Sequence, residues 1–100
     1  MIPLFSTPLT ASGIVFSGPV YFGGFLLGTD GVNDPTITIY DGTDNTGLKI
    51  VPTNTYDASA LGLNGAQEGS LVKCNSGIYV EITGSNVEIA VRYRPNMVNV

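Results

Sequence analysis

The chain has 100 residues, 43% of them hydrophobic and 12% charged, with a net charge of −4. That length is one domain, and so few charges against a usual share of roughly 25% leave little polar surface to face water. The four basic residues, Lys49, Lys73, Arg92 and Arg94, are too few for a phosphate-neutralising stripe, which argues against nucleic acid and against anionic membrane surfaces.

The first 28 residues contain no Lys or Arg, and Pro3, Pro8 and Pro19 interrupt them. Neither a secretory signal nor a membrane helix of about 20 apolar residues fits that pattern, so a soluble chain made in the cytoplasm is expected. The opening MIPLFSTPLTAS (1–12) carries apolar residues with no strand partner in view. It is expected to be an arm that reaches onto a neighbour, as is the tail 95–100, with frayed ends as the plain alternative.

GIVFS (13–17) and VYFGGFLL (20–27) read as an N-terminal pair of strands broken at Ser17, Gly18 and Pro19. In the second, strict alternation puts Val20, Phe22, Gly24 and Leu26 on one side and Tyr21, Gly23, Phe25 and Leu27 on the other. Neither side is polar, whereas a surface sheet of a monomer shows one wet face. Gly23 and Gly24 mark a bulge or a sharp bend. One face can meet the core; the other needs loops of the same domain or a second chain, and the small size of the domain favours the second chain.

Further along, PTITIYDG points Ile37 and Ile39 inward and Thr36, Thr38 and Tyr40 outward. LKIVPT is a strand that Pro52 sends to a sheet edge. The stretch 56–69 has the poorest pattern and fits either one short helical turn or a plain loop. SLVKC is a further short strand. GIYVEIT (77–83) and NVEIAVRYR (86–94) alternate strongly, and the TGSN between them predicts a hairpin. A turn at Gly84-Ser85 would set Glu81 against Glu88. A turn at Ser85-Asn86 would set Tyr79 against Arg92 in a cation–π contact, and is preferred because it avoids the like-charge pair. Seven or eight short strands with frequent Gly and Pro predict an all-β chain: a small antiparallel β-sandwich or jelly roll occupying 1–100 as a single domain.

Little in the chain offers chemistry. Without histidine it lacks the commonest general base, the base of a catalytic triad and the usual zinc ligand. Cys74 is the lone cysteine, expected to be a buried hydrophobe. DGTDNTG (41–47) and TDGVND (29–34) could offer oxygens to calcium, but neither has EF-hand spacing and both have the composition of tight turns. Glu81 and Glu88 are the one strand-borne carboxylate pair, with no tryptophan platform for a sugar. No catalytic residue, metal site or cofactor is expected.

Three segments, MIPL…TPLTASG, ITIYDGTDNTG and SGIYVEITGSNVEIAVRYRP, resemble small virion proteins of tailed bacteriophages, about 100 residues long in that resemblance. The resemblance implies a β-sandwich on or in the phage particle, typically capsid decoration or cement, often trimeric, with neck, tail and fibre components as relatives of similar fold. It implies no catalytic residue. Together with the composition it leads to an expected virion structural subunit, a homo-oligomer with a trimer favoured, bound to the major capsid protein lattice. Val20, Tyr21, Phe22, Phe25 and Leu27 are the expected interface anchors, because aromatic residues dominate interface energetics. Leu4, Phe5, Met97 and Val98 in the arms would extend the contact. The alternative is a phage neck, tail or fibre component, or a receptor- or carbohydrate-binding module that uses the loops 30–34 and 41–47.

Overall fold

The computed structural model describes residues 4–60 and 71–95, with the side chains of Leu4, Phe5 and Ala60 left aside. Met97 and Val98, and the part of the 56–69 stretch beyond Ala60, lie outside the described residues. Eight strands follow in order: β1 (Leu4–Phe5), β2 (Gly13–Ser17), β3 (Val20–Gly28), β4 (Thr36–Asp41), β5 (Leu48–Thr55), β6 (Val72–Cys74), β7 (Gly77–Thr83) and β8 (Glu88–Pro95). A single 3₁₀ turn, Ala58–Ala60, stands between β5 and β6.

The strands form two four-stranded antiparallel sheets. Sheet A has the order β1-β8-β3-β6 and sheet B the order β2-β7-β4-β5. Only β4 and β5 are consecutive strands that pair; every other connection passes from one sheet to the other. This is the two-sheet, eight-strand arrangement of a jelly roll. A long ribbon, β1 to β4 running out and β5 to β8 running back, is rolled so that its two halves pair throughout. Its far tip is the DGTDNTG turn between β4 and β5. The expected all-β sandwich is thus the observed fold, and Pro52 lies on an edge strand as read.

The core lies between the sheets. Val20, Phe22, Phe25, Leu27, Cys74, Val87, Ile89 and Val91 meet Ile37, Ile39, Ile78 and Val80 there, all of them buried. β3 reaches this core through a bulge. Phe22 pairs with Tyr93 and Gly24 with Arg92, so Gly23 is the extra residue. Gly24 has φ +117°, a conformation that a side chain would strain. The extra residue shifts the alternation by one position. Val20 and Phe22 before it, and Phe25 and Leu27 after it, therefore share the inner face, while Leu26 turns outward.

That bulge corrects the interface expectation. Val20, Phe22, Phe25 and Leu27 are 0–3% exposed within their own chain, so they are core residues and not surface anchors. A strand that seemed apolar on both faces has one apolar face, because the bulge places its two halves in register with the same sheet interior. Tyr21 alone of the five stays at the surface, half-buried beneath the guanidinium of Arg94.

The hairpin expected between GIYVEIT and NVEIAVRYR does not form. β7 belongs to sheet B and β8 to sheet A. Residues 84–87 make a corner instead of a hairpin turn, with Gly84 at φ +133° and Asn86 at φ +54°. Val87 then drops into the core at 1% exposure, anchoring the corner. Both proposed registers fail together, and Arg94 on Tyr21, at 5.1 Å, takes the place of the Arg92–Tyr79 contact. β2 and β3 are likewise in different sheets and do not pair. Both strong alternations need the same core, and the sandwich satisfies each from an opposite side.

The N-terminal segment is also not a free arm over its described part. β1 pairs with β8, Leu4 opposite Tyr93 and Phe5 opposite Arg92. Ser6 donates its N–H to the Val91 carbonyl at 2.8 Å, and Ser6 Oγ accepts the Val91 N–H at 3.0 Å. Leu9 and Ile89 exchange both backbone hydrogen bonds. Ser12 Oγ accepts the Ile82 N–H at 2.8 Å. The prolines that break any helix leave the backbone extended enough to run along β8 and cross to β7. At the other end, Pro95 pairs with Val20 as the last residue of β8.

Two substitutions separate core from surface on β3. Phe25→Ala should cost about 3–5 kcal/mol, as a buried aromatic truncation does. Leu26→Ser, one residue away but outward, should change stability by about 0.5 kcal/mol or less. Urea unfolding of both variants, monitored by tyrosine fluorescence and far-UV dichroism, checks the contrast.

Candidate functional site

The carboxylates that could have held a cation are occupied with building turns. Asp30 Oδ1 accepts the N–H groups of Val32 and Asn33, both at 2.8 Å. Its Oδ2 accepts Asn33 Nδ2 at 2.6 Å and Asn86 Nδ2 at 3.1 Å, which ties the 29–34 loop to the β7–β8 corner. Asp34 Oδ1 takes the Ala58 N–H at 2.9 Å, fastening the 3₁₀ turn. Asp41 receives three N–H groups, from Asn75, Ser76 and Gly77, at 2.9–3.3 Å, and so shapes the turn between β6 and β7. Asp44 accepts from the hydroxyl and the N–H of Thr46. Among the described residues no three Cys, Asp or Glu side chains gather closely enough to hold a metal.

The bonds to Asp30 and Asp44 favour the ionised form of each. The N–H groups of Asn33 and Val32 press the Asp30 carboxyl far below the usual carboxylate range, and the Thr46 hydroxyl and N–H lower that of Asp44. Glu81 lies on the outer face of sheet B. It accepts Tyr40 Oη at 2.9 Å and Asn45 Nδ2 at 3.2 Å. Burial, and then the hydrogen bond to Glu81, push the Tyr40 hydroxyl above its ordinary pKa. Glu88 is in the other sheet, so the two strand-borne glutamates do not form a pair across one cleft. The nearby hydroxyls bond to one another, Thr36 with Thr55 and Thr38 with Thr53, each at 2.7 Å. Cys74 is buried, and burial together with the charge of Asp41 pushes its thiol up to about 12. It has neither the access nor the ionisation of a nucleophile.

What remains is surface. Across sheet B one outer row runs from Ile14 through Tyr79 and Tyr40 to Lys49, with the two tyrosine rings 6.3 Å apart. Ile14 is half exposed there, and Leu48 at the start of β5 and Val32 in the 29–34 loop stand out.

The outer face of sheet A is organised along β3 and β8. Outward residues pair as Tyr21 with Arg94, Leu26 with Ala90 and Gly28 with Glu88, and Lys73 on β6 lies opposite Tyr21. Between them the bulge sets Gly23 beside the stem of Arg92 and the side chain of Leu71. Leu26, 42% exposed, borders a shallow hollow of about 240 Å³ with Pro8, Ala90 and Glu88. A second hollow of about 460 Å³ adjoins it at the end of the sheet, lined by Thr10, Thr29, Asp30, Asn86 and Glu88.

Of the anticipated contact residues whose side chains the structure describes, only Tyr21 is on this face, while Leu26, Ala90, Glu88 and Arg94 were not anticipated. The signal for Leu26 was present in the paired glycines. Counting the alternation afresh after them exchanges Leu26 for Phe25 and Leu27. No protein-family model, curated protein or solved structure matches the chain. No described helix is long and apolar enough to cross a membrane.

Acid should destabilise the fold through its turns. The folded Asp30 and Asp44 have lowered pKa values, so the unfolded chain binds more protons as pH drops through about 4. Their contribution is present above that range and is lost as pH falls toward the folded values. Asp30→Asn should lower urea stability above pH 5 and change it far less in acid, which flattens the acid limb of a plot of stability against pH. Cys74 should resist a disulfide reagent at pH 8 in the native protein and react once urea unfolds it.

Proposed function

We propose that this chain is a non-enzymatic structural subunit of a tailed-phage particle, a capsid decoration or cement protein that binds the major capsid protein lattice. The observation that carries the reading is the strand order β1-β8-β3-β6 and β2-β7-β4-β5. It is the jelly-roll arrangement that viral capsid domains use, alongside lectins and cupins. The fold alone does not select among these, so the argument passes to the side chains. A cupin-like metal centre built on histidine has no ligands in a chain without histidine. A lectin-like use of the loops 30–34 and 41–47 would draw on Asp30, Asp34, Asp41 and Asp44, each of which already accepts hydrogen bonds from donors of the scaffold.

The mechanism follows from rigidity and surface. Polar groups that hold turns make a stiff block, and its contacts must come from outward side chains. Among the described residues Ile14, Leu26, Val32, Leu48, Leu71 and Val72 are the exposed large apolar side chains. They replace the core residues of β3 as the contact set, and burying them against neighbours over many copies would supply cohesion. Tyr21 keeps its expected role as an aromatic anchor.

The test is localisation in the particle. A tagged copy of the chain, expressed during infection by the phage that encodes it, should co-purify with particles through a density gradient and be labelled there by immunogold. Finding all of it in the soluble fraction, with bare particles, would sink the reading.

A further inference from the structure

We infer that the corner of sheet A around Tyr21 docks a short acidic segment of a partner protein, whose carboxylates Arg94 and Lys73 hold. The strands of sheet A carry Lys73, Arg92 and Arg94, three of the chain's four basic residues, and a single carboxylate, Glu88. Strand pairing sets Arg94 on β8 and Lys73 on β6 on either side of Tyr21. Glu88 is opposite Gly28, at the far end of β3. Charge of one sign gathered at one corner recruits a partner of the opposite sign.

The row Arg94, Tyr21, Lys73 suits a carboxylate. The Arg94 guanidinium lies 5.1 Å from the centre of the Tyr21 ring. Stacking occupies the flat face of a guanidinium and leaves its in-plane N–H fork for a carboxylate, already positioned. Lys73 is exposed, and β6 lies two strand spacings from β8, about 10 Å. An ammonium on a four-carbon stem reaches from there to the same carboxylate or to the next acidic side chain of the segment. Among the described residues no carboxylate bonds to either cation. Arg92, nearer the middle of the face, is engaged by contacts of its own, so the pair assigned to the ligand is Arg94 and Lys73.

The surroundings select the kind of acid. Leu71, 39% exposed, lies over Gly23 beside the stem of Arg92. Tyrosine and arginine next to apolar surface are enriched where proteins meet proteins. A long polyanion such as nucleic acid fits poorly, because Glu88 and Asp30 border the hollow at the other end of the sheet and would repel it. A short acidic segment meets the basic corner alone. With two cations and one ring in so small an area, its binding is weak and salt-sensitive unless further contacts add to it. The inference concerns the isolated chain and goes beyond the particle role.

Titration of the full, ¹⁵N-labelled chain with hexaglutamate at low salt, followed by amide chemical shifts, tests it. The expected result is saturable, millimolar binding that added salt weakens, with the shifts centred on Tyr21, Lys73 and Arg94 and none produced by hexaglutamine. Lys73→Glu should weaken binding by about tenfold or more. Tyr21→Leu, which keeps both charges but removes the stack, should weaken it by about two- to fivefold. Lys49→Glu, on sheet B, should leave it unchanged. The same spectra show whether each variant is folded, and Arg94→Gln replaces Tyr21→Leu if the latter is not. No saturable shift, shifts spread equally to Lys49, indifference to Lys73→Glu, or inorganic phosphate bound as tightly as hexaglutamate would overturn the inference. Particle labelling reads the structural role separately, so either idea can fail alone.

Discussion

The structure turns on one extra residue in β3. Gly23 and Gly24 sit opposite the single residue Arg92, and that bulge changes which side chains face inward. Without it Val20 and Phe22 would point into the sandwich, and Phe25 and Leu27 out of it. With it all four enter one core, against Ile37, Ile39, Ile78 and Val80 of the other sheet. Burying two further large apolar side chains is worth roughly 3–6 kcal/mol, a sizeable share of the stability of a 100-residue domain. The cost is a backbone position at positive φ, which glycine meets with little strain.

From that core the polar chemistry follows. A jelly roll of short strands needs many corners, and each leaves backbone N–H groups without a ladder partner. The aspartates fill this need. Asp41 gathers three N–H groups at the β6–β7 turn, Asp30 joins its own loop to the β7–β8 corner, and Asp34 holds the 3₁₀ turn. Carboxylates committed in this way hold a shape.

Much of the architecture was legible in the residues. Alternation in PTITIYDG, GIYVEIT and NVEIAVRYR marked strands that the structure keeps within a residue or two. Pro52 marked an edge, and the Asp-Gly and Asn-Thr-Gly pairs marked the hairpin tip between β4 and β5. The paired glycines announced the bulge, although its effect on phase required recounting the face on either side of it. The surface was far less legible. Leu26 and Phe25 are adjacent and similarly apolar, and only the location of the extra residue decides which one meets solvent.

By itself, the sequence determined that this is a small all-β domain with turn-forming acids and no histidine chemistry, because period-two patterning, Gly–Pro punctuation and composition are local properties of the chain. The tertiary structure alone decided that GIYVEIT and NVEIAVRYR lie in opposite sheets and that the N-terminal residues from Leu4 to Leu9 zip onto β8. Those outcomes depend on which distant strands pair. A strand's alternation says that it needs a partner and a core, but any neighbour of matching pattern satisfies the need equally well. The choice among them is made by packing the whole set at once.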